Sequence, residues 1–569
     1  MQALSGELKV HPLIAQVLIN RGLTEAKRAQ SFLKPALEDL ANPFLLKDME
    51  KAVLRLEQAL RDGERFTIYG DYDVDGTTGS SLLYLFFREL GASVEVYIPH
   101  RIQEGYGLNI KALEYLKDKG NHLVVTVDNG ISSVTEAQRA KELGLDLIII
   151  DHHQVPPKVP FAMAILNPKQ EDCQHPGKEL AGVGVAFQLA LGLRNHLRKR
   201  GFFEGRAEPN LKKYLDLVTL GTIADMVPLT GQNRILVKMG LKVLSESTNV
   251  GVRALKEVAG VTGEVTPGQV GFRLGPRINA AGRLDSAKVG FDLLTCSDPA
   301  LALQLARKLD EANRERQALE EHIIREASDK VKKDILPKKR RSIFVSDPAW
   351  HLGVIGIVAS RLVERFYLPT IVGVVEGESM RCSARSIAGL DLFETLKSCA
   401  DHLKKFGGHR QAAGLTLSLE KKKAFEEAFD QAVRAGLSEE QFTPFIRVDA
   451  AIEARFIQER LVEELETLAP FGQGNPEPVF WAKEMTVFNC QKVGSDHLKL
   501  KFKTGENLLE AIGFGMGTLE ISPAASVDCV FSCQFNEWRG NRRIQLRLVD
   551  PPRPQSFKKL PSNPPPPWF

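Results

Sequence analysis

The 569-residue chain has only seven cysteines, and no two form a C-x-x-C pair. Cys173, Cys296, Cys382, Cys399, Cys490, Cys529 and Cys533 are odd in number and scattered, which excludes a disulfide framework and a zinc knuckle. Cys529 and Cys533, the closest pair, lie in apolar surroundings that suit buried thiols. No run approaches the ~20 consecutive apolar residues of a membrane span, and the start lacks the basic and apolar regions of a secretory signal. A reducing cytoplasm is the expected compartment. Excess charge of one sign is also missing: 75 Lys and Arg against 71 Asp and Glu leave +4. A nucleic-acid partner would therefore have to be held by local positive patches.

What is present is an ordinary globular composition, 43% hydrophobic and 26% charged, in a chain long enough for about three or four domains. Residues 1–45 read as short helices with Leu18, Leu23 and Phe32 as an apolar face, closed by turns at Pro35 and Pro43. From about 48 to 165, helices alternate with strands at 66–69, 94–98, 123–127 and 145–150. The strands are apolar on both faces, as in a parallel sheet covered by helices. Residues 180–250 are mostly helical. A long charged helix from Leu301 to about Val331 is suited to join two lobes, and the basic run 338–341 marks a boundary. A second α/β unit follows at 342–436. Short strands from 445 to 550, including the strictly alternating 498–503, predict a small β-barrel. The end of the chain, with four consecutive prolines, cannot form a core.

The chemistry concentrates at strand ends. Asp71, Asp73 and Asp75 follow the first strand, Asp128 with Asn129-Gly130 follows the third, and Asp151-His152-His153 follows the fourth. In a parallel sheet these ends share one edge, where ligands bind. Asp225, in the last turn of a helix that stops before Pro228, is opposed by the helix dipole, and this hints at a compensating cation. A lone Asp after a strand commonly caps the next helix, and Asp75 or Thr77 could do so here. Convergence of five carboxylates and two imidazoles instead predicts a divalent metal site. Carboxylate and imidazole without thiolate suits Mn²⁺ or Mg²⁺. Two such ions would neutralise the acids and serve phosphoester hydrolysis.

These motifs, with Gly221-Thr222-Ile223-Ala224-Asp225, resemble the four ordered motifs of the DHH phosphoesterase superfamily. Gly407-Gly408-His409 and Ala412-Ala413-Gly414 resemble the glycine-rich motif of its DHHA1 companion. Many relatives have a His where Tyr69 stands here, and the Asp71 pattern is that of the branch degrading single-stranded DNA 5′→3′. The resemblance runs from about 45 to 550. It implies an α/β multidomain fold: an N-terminal helical segment (1–45), a parallel-sheet DHH domain (46–265), a DNA-groove loop and connecting helix (266–336), a DHHA1 domain (337–440), an OB-fold barrel (441–555) and a Pro-rich tail (556–569).

The resemblance further implies Asp71, Asp73, Asp75, Asp128, His152 and Asp225 as ligands of two metals, with Asp128 bridging and His153 approaching the scissile phosphate or a metal. Asp73, Asp128, His152 and His153 form the catalytic core. Asp151 either orients the imidazoles or is structural. Arg101 follows the second strand and so lies near the metal edge. Arg277 and Arg283, in a glycine-punctuated loop, and Asn313, Arg314, Arg316 and Gln317, on the connecting helix, match stretches that line the family's DNA groove. Ser383 and Arg385 resemble its pocket for a terminal 5′ phosphate, and Arg385 with Arg101 would then fix polarity. His409 suits substrate contact or a tight turn equally. Lys499, Lys501, Lys503, Trp538, Arg539, Arg542 and Arg543 offer charge and stacking on the barrel, whereas Phe531 and Phe535 suit its core.

The family implies a monomer that works on strands presented by a helicase and a single-strand-binding protein. Rival readings are a DHH enzyme cleaving oligonucleotides or cyclic dinucleotides, an inactive DNA-binding scaffold, and a hydrolase of small phosphate compounds. The barrel and connecting helix disfavour the first, the intact acids the second, and the length and arginine distribution the third.

Overall fold

The structure, a computed structural model, describes residues 1–553 except 102–103, 106, 285, 505–506 and 539. The Pro-rich tail, Arg539 and the side chain of Trp538 lie outside the described residues. The chain forms two compact units. The first comprises Met1–Gly275, Phe291–Leu303 and the residues from Arg447 onward; the second comprises Pro276–Gly290 and Gln304–Ile446. The helix Pro299–Lys330 begins in the first and continues into the second. Among the described residues no helix is long and apolar enough to cross a membrane.

The first unit opens with helices α1 (Gln2–Leu8), α2 (Pro12–Asn20) and α3 (Ala26–Leu33), then α4 (Met49–Asp62). Strands β1 (Arg65–Gly70), β2 (Ser93–Tyr97), β3 (Leu123–Val127), β4 (Asp146–Ile150) and β5 (Ala164–Leu166) form a wholly parallel sheet in the order β2-β1-β3-β4-β5. Helices α5 (Val74–Glu89), α6 (Ile110–Asp118) and α7 (Val134–Glu142) connect its strands. Helices α8 (Gly182–Lys199), α9 (Leu215–Ala224) and α10 (Gly231–Ser245) follow. The order reverses between β1 and β3, and that switch point is where an open parallel sheet presents its ligand crevice. Helix α5 starts at Val74 rather than Thr77, because Asp73 Oδ1 accepts from Gly76 N at 3.0 Å and caps it. Asp73, not Asp75 or Thr77, is therefore the cap, and Asp75 lies in the first helical turn.

The second unit holds a mixed sheet of β6 (Ile343–Asp347), β7 (Thr370–Glu376), β8 (Ser379–Arg385), β9 (Lys405–Gly408) and β10 (Ala412–Ser418), in the order β6-β7-β8-β10-β9. Residues 275–284, expected as a loop, are helical. Burial of Ile278, Ala280 and Ala281 outweighs the low helix propensity of the flanking glycines.

Back in the first unit, β11 (Ala450–Ala451), β12 (Phe480–Val493), β13 (His497–Thr504), β14 (Asn507–Phe514), β15 (Ser526–Trp538) and β16 (Asn541–Leu548) form the barrel, closed by pairing of β12 with β15. Leu498, Leu500 and Phe502 face inward, as their alternation predicts. The N-terminal helices do not form a core of their own. Ile14, Val17, Leu18 and Phe32 share one apolar cluster with Val462, Leu465, Phe480 and Phe531.

Arg234 of α10 ties these parts together. Only 2% exposed, it donates to the carbonyls of Phe32 (2.8 Å), Ala469 (3.0 Å) and Thr467 (3.3 Å), and its guanidinium lies 3.7 Å from the Phe32 ring centre. Burial, with the charge of Arg21 adding, pushes its pKa down to about 9. Arg234→Ala leaves several buried carbonyls without donors and should lower unfolding free energy by about 3 kcal/mol or more in urea titrations. Arg234→Lys should recover little, since one ammonium cannot span the carbonyls that the guanidinium fork reaches.

Candidate metal centre

Each acidic strand end continues the sheet ladder by one residue. Asp71 N donates to Val127 O (3.1 Å), Asp128 N to Ile150 O (2.9 Å) and Asp151 N to Leu166 O (3.1 Å). The carboxylates are thus held in register along one edge. Asp128 adopts a left-handed backbone (φ 64°), followed by Gly130 at φ 110°. Asn129 locks this turn by donating to Tyr69 O (3.2 Å) and Val127 O (2.9 Å).

Three overlapping ligand sets result: Asp71, Asp73 and Asp128; Asp128, His152 and His153; and Asp75, His152 and Asp225. Within each, ligand atoms lie within 4.8 Å of one another. Asp128 and His152 each belong to two sets. His152 Nε2 is 3.1 Å from Asp128 Oδ1, 3.5 Å from Asp225 Oδ2 and 3.8 Å from Asp75 Oδ2. Asp71, Asp75, Asp128, Asp151 and His152 are buried, while Asp225, at the C-terminal end of α9, is partly open.

Gathering these acids in a buried place raises their proton affinity. Burial and then the charge of Asp73 push Asp75 to about 7, and burial with Asp75 and Asp73 pushes Asp225 to about 9. Asp71 and Asp128 are raised well above the ordinary carboxylate range for the same reasons. The neighbouring imidazoles move in opposite directions. Burial and the charge of His153 lower His152 to about 3, so it is neutral and able to coordinate. Burial also disfavours charge on His153, but its 2.7 Å hydrogen bond to Asp151 Oδ1 outweighs this and raises it. Asp151 additionally accepts from the backbone N–H groups of Ile131, His152 and His153, which makes it the residue that orients the pair. Asp71 Oδ1, Asp225 Oδ2 and His152 Nε2, the ring nitrogen that faces the acids, are buried without hydrogen bonds, as expected of atoms that coordinate cations. An oxygen-rich set with one neutral imidazole and no thiolate fits Mn²⁺ or Mg²⁺.

One contribution escaped sequence reasoning. The N-terminus of α8 grips Asp75, with Gly182 N at 2.5 Å from Oδ2 and Val183 N at 2.8 Å from Oδ1. A Cβ on Gly182 would stand 2.8 Å from Asp128 Cβ and 3.0 Å from Asp75 Oδ2. The signal was Ala181-Gly182-Val183-Gly184, small residues opening an apolar helix, the pattern that lets backbone amides approach an anion. Tyr69 is buried, and its hydroxyl joins Gly107 O and Asn109 Nδ2, both at 3.1 Å, anchoring the residues that lead into α6.

Arg101 lies 4.8 Å from the Tyr72 ring centre, and its charge acts on Asp71. In the second unit, Arg277 pairs with Asp310 at 2.9 Å, and Arg314 with the same carboxylate at 2.7 Å. Arg283 donates to Gly353 O at 3.1 Å. Asn313 and Arg316 are buried and bonded to each other, with Arg316 also paired to Glu320 at 2.7 Å, whereas Arg314 and Gln317 are exposed. Arg385 donates to Ser383 Oγ at 3.1 Å, and a Cβ on Gly356, in the first turn of helix Ile355–Phe366, would be 3.1 Å from Arg385 Nη2 and 3.2 Å from Ser383 Oγ. His409 is exposed in the β9–β10 turn, where Gly408 has φ 147°. On the barrel, Lys499 and Lys501 pair with Glu510, Arg542 lies 3.5 Å from the Phe535 ring centre, and Lys499 and Arg543 line a concavity of about 380 Å³.

Family models match in three places: DHH family, N-terminal domain, at 65–222; DHHA1 domain at 341–435; and RecJ OB domain at 448–550. The single-stranded-DNA-specific exonuclease RecJ of Bacillus subtilis is 39% identical over 557 residues, 97% of this chain and 69% of that one. The chain belongs to the RecJ family. Among solved structures, RecJ of Thermus thermophilus in complex with Mn²⁺ superposes with TM-score 0.80 at 31% identity, covering 96% of this chain and 76% of that one. Its complex with Mg²⁺ gives 0.74 at 30%, covering 97% and 76%. The α/β multidomain fold with DHH, DHHA1 and OB domains is thus that of RecJ, and the acid cluster stands in a family whose members bind these two ions.

Removing divalent ions leaves the acids to repel one another. A carboxyl whose folded pKa is raised contributes stability that is complete below its unfolded value, near pH 4, and lost as pH rises through the folded value. The window here extends through about 7 for Asp75 and about 9 for Asp225. EDTA-treated protein should therefore melt lower at about pH 9 than at about pH 6, and Mn²⁺ should remove most of the difference. Asp128→Asn should raise the melting temperature of the metal-free protein at the higher pH. Equal metal-free melting temperatures at both pH values would contradict this account.

Proposed function

We propose that this RecJ-family chain degrades single-stranded DNA from its 5′ end to mononucleotides, by phosphodiester hydrolysis with two divalent cations, in DNA recombination and repair. The observation that carries the reading is the sharing of Asp128 between two ligand sets at the switch-point edge. Asp71, Asp73, Asp75, Asp128, His152 and Asp225 would hold two Mn²⁺ or Mg²⁺ ions, with Asp128 between them. When bound, the ions supply the acidity that ionises an attacking water and the charge that offsets the developing phosphorane. The chain does the rest. His152 stays neutral and offers a lone pair, while His153, held toward its charged form by Asp151, provides a cationic donor for a phosphate oxygen. Arg101 neutralises phosphate beside Asp71.

Ser383, Arg385 and the first turn of helix Ile355–Phe366 form a cradle for a terminal 5′ phosphate, which gives the enzyme its polarity. Arg277, Arg283, Arg314, Gln317 and His409 would contact the strand, with Asn313 and Arg316 bracing their helix from its buried face. Duplex DNA offers no free strand, so a helicase and a single-strand-binding protein would present the substrate to a monomeric enzyme in the cytoplasm. An inactive scaffold would have no use for a buried cluster of like charges that destabilises the metal-free fold.

End-labelled single-stranded DNA with Mn²⁺ should release mononucleotides first from the 5′ end, and duplex or RNA should be cut far more slowly. Asp128→Asn should reduce the rate by a factor of about 10³ or more. Arg385→Ala should lose about 2–3 kcal/mol of preference for 5′-phosphorylated over 5′-hydroxyl ends. Bound but uncut DNA in the wild type would favour the scaffold, and an unchanged end preference in Arg385→Ala would remove that residue from the phosphate cradle.

A further inference from the structure

The two most exposed large apolar side chains among the described residues are Phe272, at 80%, and Met226, at 71%. Both lie on segments that border Asp225. Met226 directly follows Asp225 and sits in a left-handed conformation (φ 58°). Phe272 belongs to the π-helical turn Val270–Leu274, which packs on the last turn of α9: Gly271 faces Ile223, and a Cβ on Gly275 would lie 3.3 Å from Ala224 Cβ. Ala224 is the residue before Asp225. Single exposed apolar groups are ordinary, but here the two most exposed among the described residues both lie on segments that border Asp225. A π-helical turn of this kind is itself a feature that concentrates at functional sites.

We infer that Phe272 and Met226 offer a stacking platform for one unpaired nucleobase of the strand, on the Asp225 side of the metal centre. An aromatic ring and a polarisable thioether both suit a base face, and stacking tolerates any base, as a non-sequence-specific nuclease requires. In a duplex the base faces are taken up by their neighbours, so the platform favours single strands at the point of hydrolysis. The inference rests on the proposed nuclease reading and adds a protein contact to the base, where the arginines contact only phosphate.

The test is a double-mutant cycle between side chain and base, in the full-length protein. Phe272→Ala and Phe272→Trp are compared with wild type on strands bearing one abasic site, walked through the first several positions from the 5′ end. Cleavage with Mn²⁺ and equilibrium binding in EDTA are both measured. Phe272→Ala should lower kcat/KM on intact strands by about five- to a hundredfold, and Phe272→Trp should keep it near wild type. One abasic position should cost wild type a similar factor and cost Phe272→Ala nothing further. Equal rates for Phe272→Ala and wild type, or an undiminished abasic penalty in Phe272→Ala, would overturn the platform. If wild type binds but cuts no strand, the nuclease reading falls, and the binding cycle alone decides the platform. Because the ring is exposed, its removal leaves the core intact, and matching melting temperatures verify this.

Discussion

Repulsion among like charges governs the architecture of the first unit. Asp71, Asp73, Asp75, Asp128 and Asp225 are drawn together in surroundings where charge is poorly solvated. Only a stiff frame holds them there. The parallel sheet supplies most of it, because the backbones of Asp71, Asp128 and Asp151 are each fixed by a ladder bond to the next strand. The amides of α8 hold Asp75, and its dipole favours the charged form. Asp128 pays about 1 kcal/mol for its left-handed backbone, and in return its carboxylate sits where both ligand sets can use it.

The Asp-His-His sequence shows how one carboxylate divides roles between adjacent residues. Asp151 bonds to the His153 ring, and also accepts the backbone amides of both histidines. His153 is thereby kept toward its cationic form, and its charge in turn disfavours protonation of the more deeply buried His152. Neighbours with proton affinities pushed apart suit different tasks, one coordination and the other charge donation. A structural role for Asp151 and an orienting role are therefore the same role.

The strand ends were legible because the side-chain period and the apolar runs are local properties, and because a parallel sheet places all C-terminal ends on one edge. Asp225 was legible from its unfavourable place against a helix dipole. Gly182 was not, since its function is to lack a side chain where two distant acids converge, and only the tertiary structure reveals that approach. The segment 275–284 reads as a loop because glycine lowers helix propensity locally, whereas burial of Ile278 and Ala281 is a long-range gain that makes it helical. Likewise, i, i+3, i+4 spacing puts Asn313, Arg316 and Gln317 on one side without telling which of them meet solvent, and Asn313 and Arg316 meet protein while Gln317 is exposed.

The fusion of the two chain ends was equally invisible, and it matters for how the barrel works. The segment leading into the barrel is bonded to the loop that follows Asp225: Leu229 N donates to Gln473 O at 2.7 Å, and Gly472 and Gly474 lie so close to Leu229 and Pro228 that a Cβ would clash. Arg234 and Lys238 grip Ala469 O a few residues earlier. The N-terminal helices complete the barrel core. The barrel is thus not a detachable DNA-binding module. Cutting the chain at its boundary would uncover the apolar faces of α1–α3 and release the loop after Asp225, so lost activity would not separate strand binding from the geometry of the acid cluster. Exposed charges such as Lys503 and Arg543 can be altered without touching that shared core, so surface substitutions, unlike truncation, would separate any strand contact by the barrel from its support of the loop after Asp225.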